Sequence, residues 1–188
     1  MDLFRNTYRT TSNRKRERDY ALPGRYFVTI CAADHALSFG KIHGGIMGLN
    51  DMGCIVADEI QCTPAVRPNV AIDDWIVMPD HVHMVVTIHE SPHHGRTTVE
   101  TSRRDVSTNV AALIPLFRFR PRSLGAVINH IKSACTRRIR TAEYAHFMWQ
   151  PNYHDRIIRS NAELHRIRRY IEMNPRRWKC DTDNRTRK

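Results

Sequence analysis

Residues 78–88 read Met-Pro-Asp-His-Val-His-Met-Val-Val-Thr-Ile. In an extended strand, successive side chains point to opposite faces. His81, His83, Val85 and Thr87 then share one face, and Val82, Met84, Val86 and Ile88 share the other. The second face is wholly apolar and predicts a layer of helices against it. Pro79 breaks the apolar run 75–78 and predicts a tight connection between two strands, with the histidines opening the second. Residues 70–78 form the earlier strand. Residues 25–31, after Pro23-Gly24, read as the first strand of the chain. Between them, residues 37–48 are a ribbon-like stretch broken by Gly40, Gly44, Gly45 and Gly48.

Helical periods occupy three further stretches. Asn50 caps a helix with Met52, Ile55, Val56 and Ile60 on its apolar side, closed by Pro64 and Pro68. Ser123 caps a second, with Leu124, Val127, Ile128, Ile131, Cys135 and Ile139 inward. Ser160-Asn161-Ala162-Glu163 is a capping-box pattern that opens a third, with Leu164, Ile167 and Ile171 as its stripe. Pro175 disfavours helical geometry at Asn174 and predicts an end there. Residues 149–159 read as a mixed segment with a short extended piece. The order strand, helix, strand, strand, helix, then a further helix predicts an α+β, ferredoxin-like sandwich. One antiparallel sheet would carry two helices on one face. The other face would be free for a site, with the last helix beside it.

The chain divides into a basic arm (1–20), one domain (21–180) and a polar tail (181–188). An insertion at about 89–122 is punctuated by Pro92, Gly95, Pro115 and Pro121. No apolar run reaches membrane-span length, and the arginine-rich start is no signal peptide, so a cytoplasmic protein is expected.

Charge narrows the partners. The formal net charge is +11 and the pI is about 10.0, which favours a polyanion: nucleic acid before a membrane surface. Arg14, Lys15, Arg16 and Arg18 in the arm are candidate phosphate contacts, with Lys132, Arg137 and Arg138 as secondary ones. Cysteines stand at 31, 54, 62, 135 and 180 without a Cys-x-x-Cys pair, so reduced thiols are expected rather than a structural zinc site. Cys31, Cys54 and Cys135 lie in apolar patterns and read as core filler.

Two constellations could carry chemistry. His81 and His83 lie roughly 7 Å apart along a strand, and two neutral imidazoles at that spacing can turn toward one divalent cation. Tyr170 and Asn174 stack on one side of the last helix, flanking its apolar stripe. Each also has a plain explanation: half-exposed histidines on a sheet, and an amphipathic tyrosine at a packing edge.

Residues 25–31, 78–83, 123–125, 149–159 and 170–178, in that order, resemble the IS200-like single-tyrosine (HUH) transposases, above all their REP-associated branch. The resemblance spans roughly residues 16–180. It implies that His81, His83 and Asn174 bind a metal, magnesium or manganese, and that Tyr170 is a nucleophile giving a 5′-phosphotyrosine. It also implies single-stranded DNA with hairpins as the partner, and a monomer or a homodimer that exchanges the tyrosine helix. Histidines would also accept zinc, nickel or copper. Asp80 departs from the family, where asparagine is common. Tyr153, after Pro151-Asn152, is a second candidate nucleophile. Competing readings are a hydrolytic nuclease without a lasting covalent step and a non-catalytic nucleic-acid-binding regulator. A binding module of this shape usually stacks bases on central-strand aromatics, and residues 81–88 have none.

Overall fold

The structure is a computed structural model. It describes residues 20, 22–90 and 122–178 fully, and the backbone alone at 3–4, 8–9 and 179–185. A short hairpin pairs β1 (Leu3–Phe4) with β2 (Tyr8–Arg9). The domain then runs β3 (Gly24–Cys31), β4 (Gly40–His43), β5 (Ile46–Leu49), α1 (Asp51–Val66), β6 (Val70–Val77), β7 (His81–Ile88), α2 (Leu124–Thr141), β8 (His154–Ile158) and α3 (Asn161–Arg185). The main sheet has the order β6-β7-β3-β8, antiparallel throughout, while β4 and β5 form a separate hairpin.

The alternation along β7 divides the molecule in two. Val82, Met84 and Val86 meet Tyr26, Val28 and Ile30 of β3 beneath α1 and α2, in the main core. Val56 and Ile60 come from α1, and Leu124, Ile128 and Ile131 from α2. Each large apolar side chain so buried contributes roughly 1.5–3 kcal/mol. Val85, on the opposite face, packs with Ile158, Leu164, Ile167 and Ile171, which seats α3 there. This is the ferredoxin-like α+β sandwich, with two helices on one face and the third on the other.

The expected caps form. Asn50 Oδ1 accepts from the Gly53 N–H at 2.9 Å, and Ser123 Oγ from the Ala126 N–H at 3.3 Å. At α3, Ser160 Oγ accepts from the Glu163 N–H, and Glu163 reaches back to the Arg159 N–H.

Three expectations are corrected. α3 does not stop at Asn174 but runs through Pro175. A helix-interior proline forfeits one hydrogen bond, at about 3 kcal/mol. Burial of Ile171 against the sheet, and of Pro175, offsets that cost. Pro64 likewise lies inside α1, which ends at Val66. Cys54 is exposed on α1, because its position falls outside the Val56/Ile60 stripe, whereas Cys31 and Cys135 are buried. The arm residues Arg14, Lys15, Arg16 and Arg18 and the insertion residues 91–121 lie outside the described residues. No helix among the described residues is long and apolar enough to cross a membrane.

Candidate active site

The strand β7 sets two imidazoles side by side on the α3 face. His81 Nε2 and His83 Nε2 are 3.0 Å apart, with ring centroids at 4.4 Å. Both residues are buried. Their far nitrogens are held from behind. His81 Nδ1 lies 2.5 Å from Asp80 Oδ1, and His83 Nδ1 lies 2.8 Å from Thr29 Oγ1. Asp80 is itself buried, and its other oxygen meets His35 Nδ1 at 3.0 Å. Asp80 thus fixes the His81 ring. An Nδ1–H given to the carboxylate leaves the Nε2 lone pair facing His83.

The helix α3 closes the site. The Tyr170 hydroxyl is 3.3 Å from His83 Nε2, and its ring packs on His83 at 5.2 Å. Two turns later the Trp178 ring lies 5.9 Å from His81 at an interplanar angle of 34°. Asn174 falls between these two contacts on the same stripe. It is 1% exposed, and neither amide atom has a hydrogen-bond partner among the described residues. A buried, unpaired amide costs about 1–3 kcal/mol. It lies on α3 midway between Tyr170 and Trp178, whose rings pack on His83 and His81.

These residues fit a divalent cation. Two ligands at right angles on an ion at about 2.1 Å stand about 3.0 Å apart, the separation of the two Nε2 atoms. No group of three His, Cys, Asp or Glu able to hold a metal occurs among the described residues. A third protein donor would therefore come from another residue type, and the unpartnered Asn174 Oδ1 is a candidate.

The secondary candidates for phosphate contact already have protein partners in two cases. Lys132, Arg137 and Arg138 all lie on α2, across the sheet from the histidines. Lys132 Nζ donates to the Gln150 and Asn152 carbonyls at 2.7 and 2.8 Å, and burial pulls its ammonium down to about 8. It fastens the 149–153 segment, as does the Trp149 indole N–H given to the Lys132 carbonyl. Arg138 is ion-paired with Asp58 and Glu59. Arg137 is exposed. Tyr153 packs on the main core, the side of the sheet away from the imidazoles.

Sequence reasoning missed the groups around the site. Phe27, two residues before Thr29 on the same face of β3, packs on both His83 and Tyr170 at 5.2 and 5.9 Å. The β3–β7 register that sets Thr29 opposite His83 has no local sequence signal. Trp178 did have one: it repeats the four-residue step from Tyr170 to Asn174 once more, hidden by ending the helix at Pro175.

The chain is thus an antiparallel sandwich with an imidazole pair on its open face and a tyrosine-bearing helix across it. The structure resembles that of a REP-associated tyrosine transposase bound to a REP hairpin, with a TM-score of 0.52 and 18% identity over 86% of this chain and 73% of that one. That likeness shows that the two proteins share a fold. By sequence, the chain belongs to the same family as an uncharacterized protein of Haemophilus influenzae, 30% identical over 170 residues and 90% of each chain. No protein-family model matches it.

Proposed function

We propose that this protein is a metal-dependent enzyme that cleaves and rejoins single-stranded DNA at hairpin-forming repeats. The observation that carries the reading is the Tyr170 hydroxyl, 3.3 Å from one of two facing imidazole nitrogens. In this reading Tyr170 Oη attacks phosphorus. The bond to the 3′ oxygen breaks, the phenol proton leaves, and the 3′ oxygen takes one up. The products are a 5′-phosphotyrosyl enzyme and a free 3′-hydroxyl. The ester keeps the bond energy, so a 3′-hydroxyl can reverse the step and join strands without ATP.

A phenol of ordinary pKa, about 10, is a poor nucleophile at neutral pH. His81, His83 and Asn174 would hold magnesium or manganese, which when bound withdraws charge from the scissile phosphate. Asp80 and Thr29 hold the two rings in register, and Phe27 supports Tyr170 from the side. The hydrolytic alternative leaves the placement of Tyr170 on His83 without a role.

The test is incubation with labelled single-stranded hairpins from DNA flanking the gene, with magnesium or manganese, followed by denaturing gels. The expected result is a covalent protein–DNA adduct and a shortened strand. Cleavage with no adduct at any time point would favour the hydrolytic alternative, and cleavage unchanged in excess chelator would remove the metal from the reading.

A further inference from the structure

The face that carries the imidazoles continues into a groove along the edge of the sheet. A cavity of about 410 Å³ begins at Tyr170 and is lined by Phe27, Arg156, Arg166 and Ile167. A second, of about 350 Å³, adjoins it and reaches Tyr20, Asp155 and Arg159. The two share Arg156, Glu163 and Arg166 in their linings, so together they make a groove along the edge strand, called the channel below. The register explains it. Arg156 of β8 stands opposite Phe27 of β3 and therefore on the same face, while Arg166 comes from the first half of α3.

Three arginines (Arg156, Arg159 and Arg166) outnumber two carboxylates (Asp155 and Glu163) along these linings, and Phe27 and Tyr170 add an aromatic wall. Glu163 is already engaged, by Arg156 Nη2 at 2.7 Å and by the Arg159 N–H at 3.0 Å. Arg166 is exposed and close enough to Glu163 for its charge to help the Arg159 N–H hold that carboxyl below its ordinary value. A positive groove beside an aromatic ring is the usual platform for an unpaired nucleic-acid strand: guanidiniums track phosphates and the ring takes a base. Any strand whose scissile phosphate sits at Tyr170 must continue over a neighbouring surface, and this is the surface that begins at Tyr170.

We infer that the Phe27–Arg156–Arg166 channel binds the single-stranded DNA flank next to the scissile phosphate, rather than the arginines of α2 doing so. The inference rests on the DNA-cleaving reading above.

The experiment measures fluorescence anisotropy across a salt series with two probes: a hairpin carrying a single-stranded flank, and the same hairpin without it. Arg156→Ala/Arg166→Ala should weaken binding of the flanked hairpin roughly tenfold or more. It should flatten its log–log salt slope by about 1.4, two phosphates at about 0.7 each. Binding of the bare hairpin should not change. Arg166→Glu, at an exposed position, should weaken flank binding further. Arg137→Ala on α2 should leave the affinity difference between the two probes unchanged, whatever it does to both together. An unaltered slope in the double variant, or loss of that difference in Arg137→Ala instead, overturns the assignment. Adduct gels on the same proteins separate the two readings. Flank binding through the channel with no wild-type adduct sinks the catalytic reading alone. A wild-type adduct with flank affinity unchanged in the double variant sinks the channel alone.

Discussion

Tyr170 and His83 meet across the joint between α3 and β7, hydroxyl to Nε2 at 3.3 Å. The contact puts the candidate nucleophile within one atom's reach of the candidate ion site. Tyr170→Phe removes the hydroxyl and keeps the ring packed on Phe27 and His83. Adduct formation should vanish while DNA affinity stays within a few fold. An adduct that persists in Tyr170→Phe and disappears in Tyr153→Phe would falsify the assignment.

Neighbours on β7 should behave in opposite ways. Val82→Ala empties part of the main core, where Val82 is fully buried, and should cost roughly 2 kcal/mol by chemical denaturation with divalent-ion binding intact. His81→Ala and His83→Ala should each abolish most divalent-ion binding by calorimetry. Ion binding lost in Val82→Ala but kept in His83→Ala would mean that the two faces have been exchanged.

Asn174→Leu separates a ligand from a packing residue. It removes a buried amide with no partner among the described residues, so the metal-free protein should melt at the same temperature or higher. The rise in melting temperature that manganese gives the wild type should be lost. A variant that melts lower yet keeps the manganese shift would make Asn174 structural.

Asp80→Asn keeps an acceptor for His81 but removes the charge that aligns the ring. Ion affinity should fall about 10–100-fold, the usual effect of losing the group behind a ligating histidine. His35→Ala, whose side chain is 43% exposed, should have a much smaller effect. Equal losses in both variants would show that the Asp80 loop matters as a whole, not the aspartate–imidazole contact.

Lys132 makes a prediction about pH. Burial lowers its folded pKa to about 8, against 10.5 in the unfolded chain. Above pH 8 the unfolded chain therefore holds a proton that the folded chain has released, and stability from this group rises with pH. Cys135 acts in the opposite sense from about pH 9, because burial pushes its thiol up to about 12. The window is pH 8 to 9. Denaturant melts there should show the wild type gaining on Lys132→Met by up to about 1.4 kcal/mol per pH unit. A constant gap between the two proteins would refute the buried-ammonium account.

The periodicity of β7 and the three capped helices made the layer order readable. Alternation fixed which face carries His81 and His83, because one register exposes a wholly apolar set. What stayed hidden depends on pairing across the sheet. Thr29 meets His83, and Arg156 meets Phe27, only once β3 is threaded between β7 and β8. The end of α3 was misjudged because proline's local preference was weighed without the tertiary burial that opposes it. Lys132 and Arg138 looked like surface cations, since sequence does not reveal the carbonyls and carboxylates that engage them.

Tyr170, Asn174 and Trp178 ride on one uninterrupted rod, spaced along about 12 Å of its length. The rod is anchored by Leu164, Ile167 and Ile171 near its start, and its far end is carried past Pro175 to His81. Tyr170 and Asn174 have no independent travel. A tilt about that anchorage would withdraw all three side chains together, farthest at Trp178. The machinery is therefore assembled or dismantled in one stroke, so a chain that holds the ion through Asn174 has its tyrosine already at the bench.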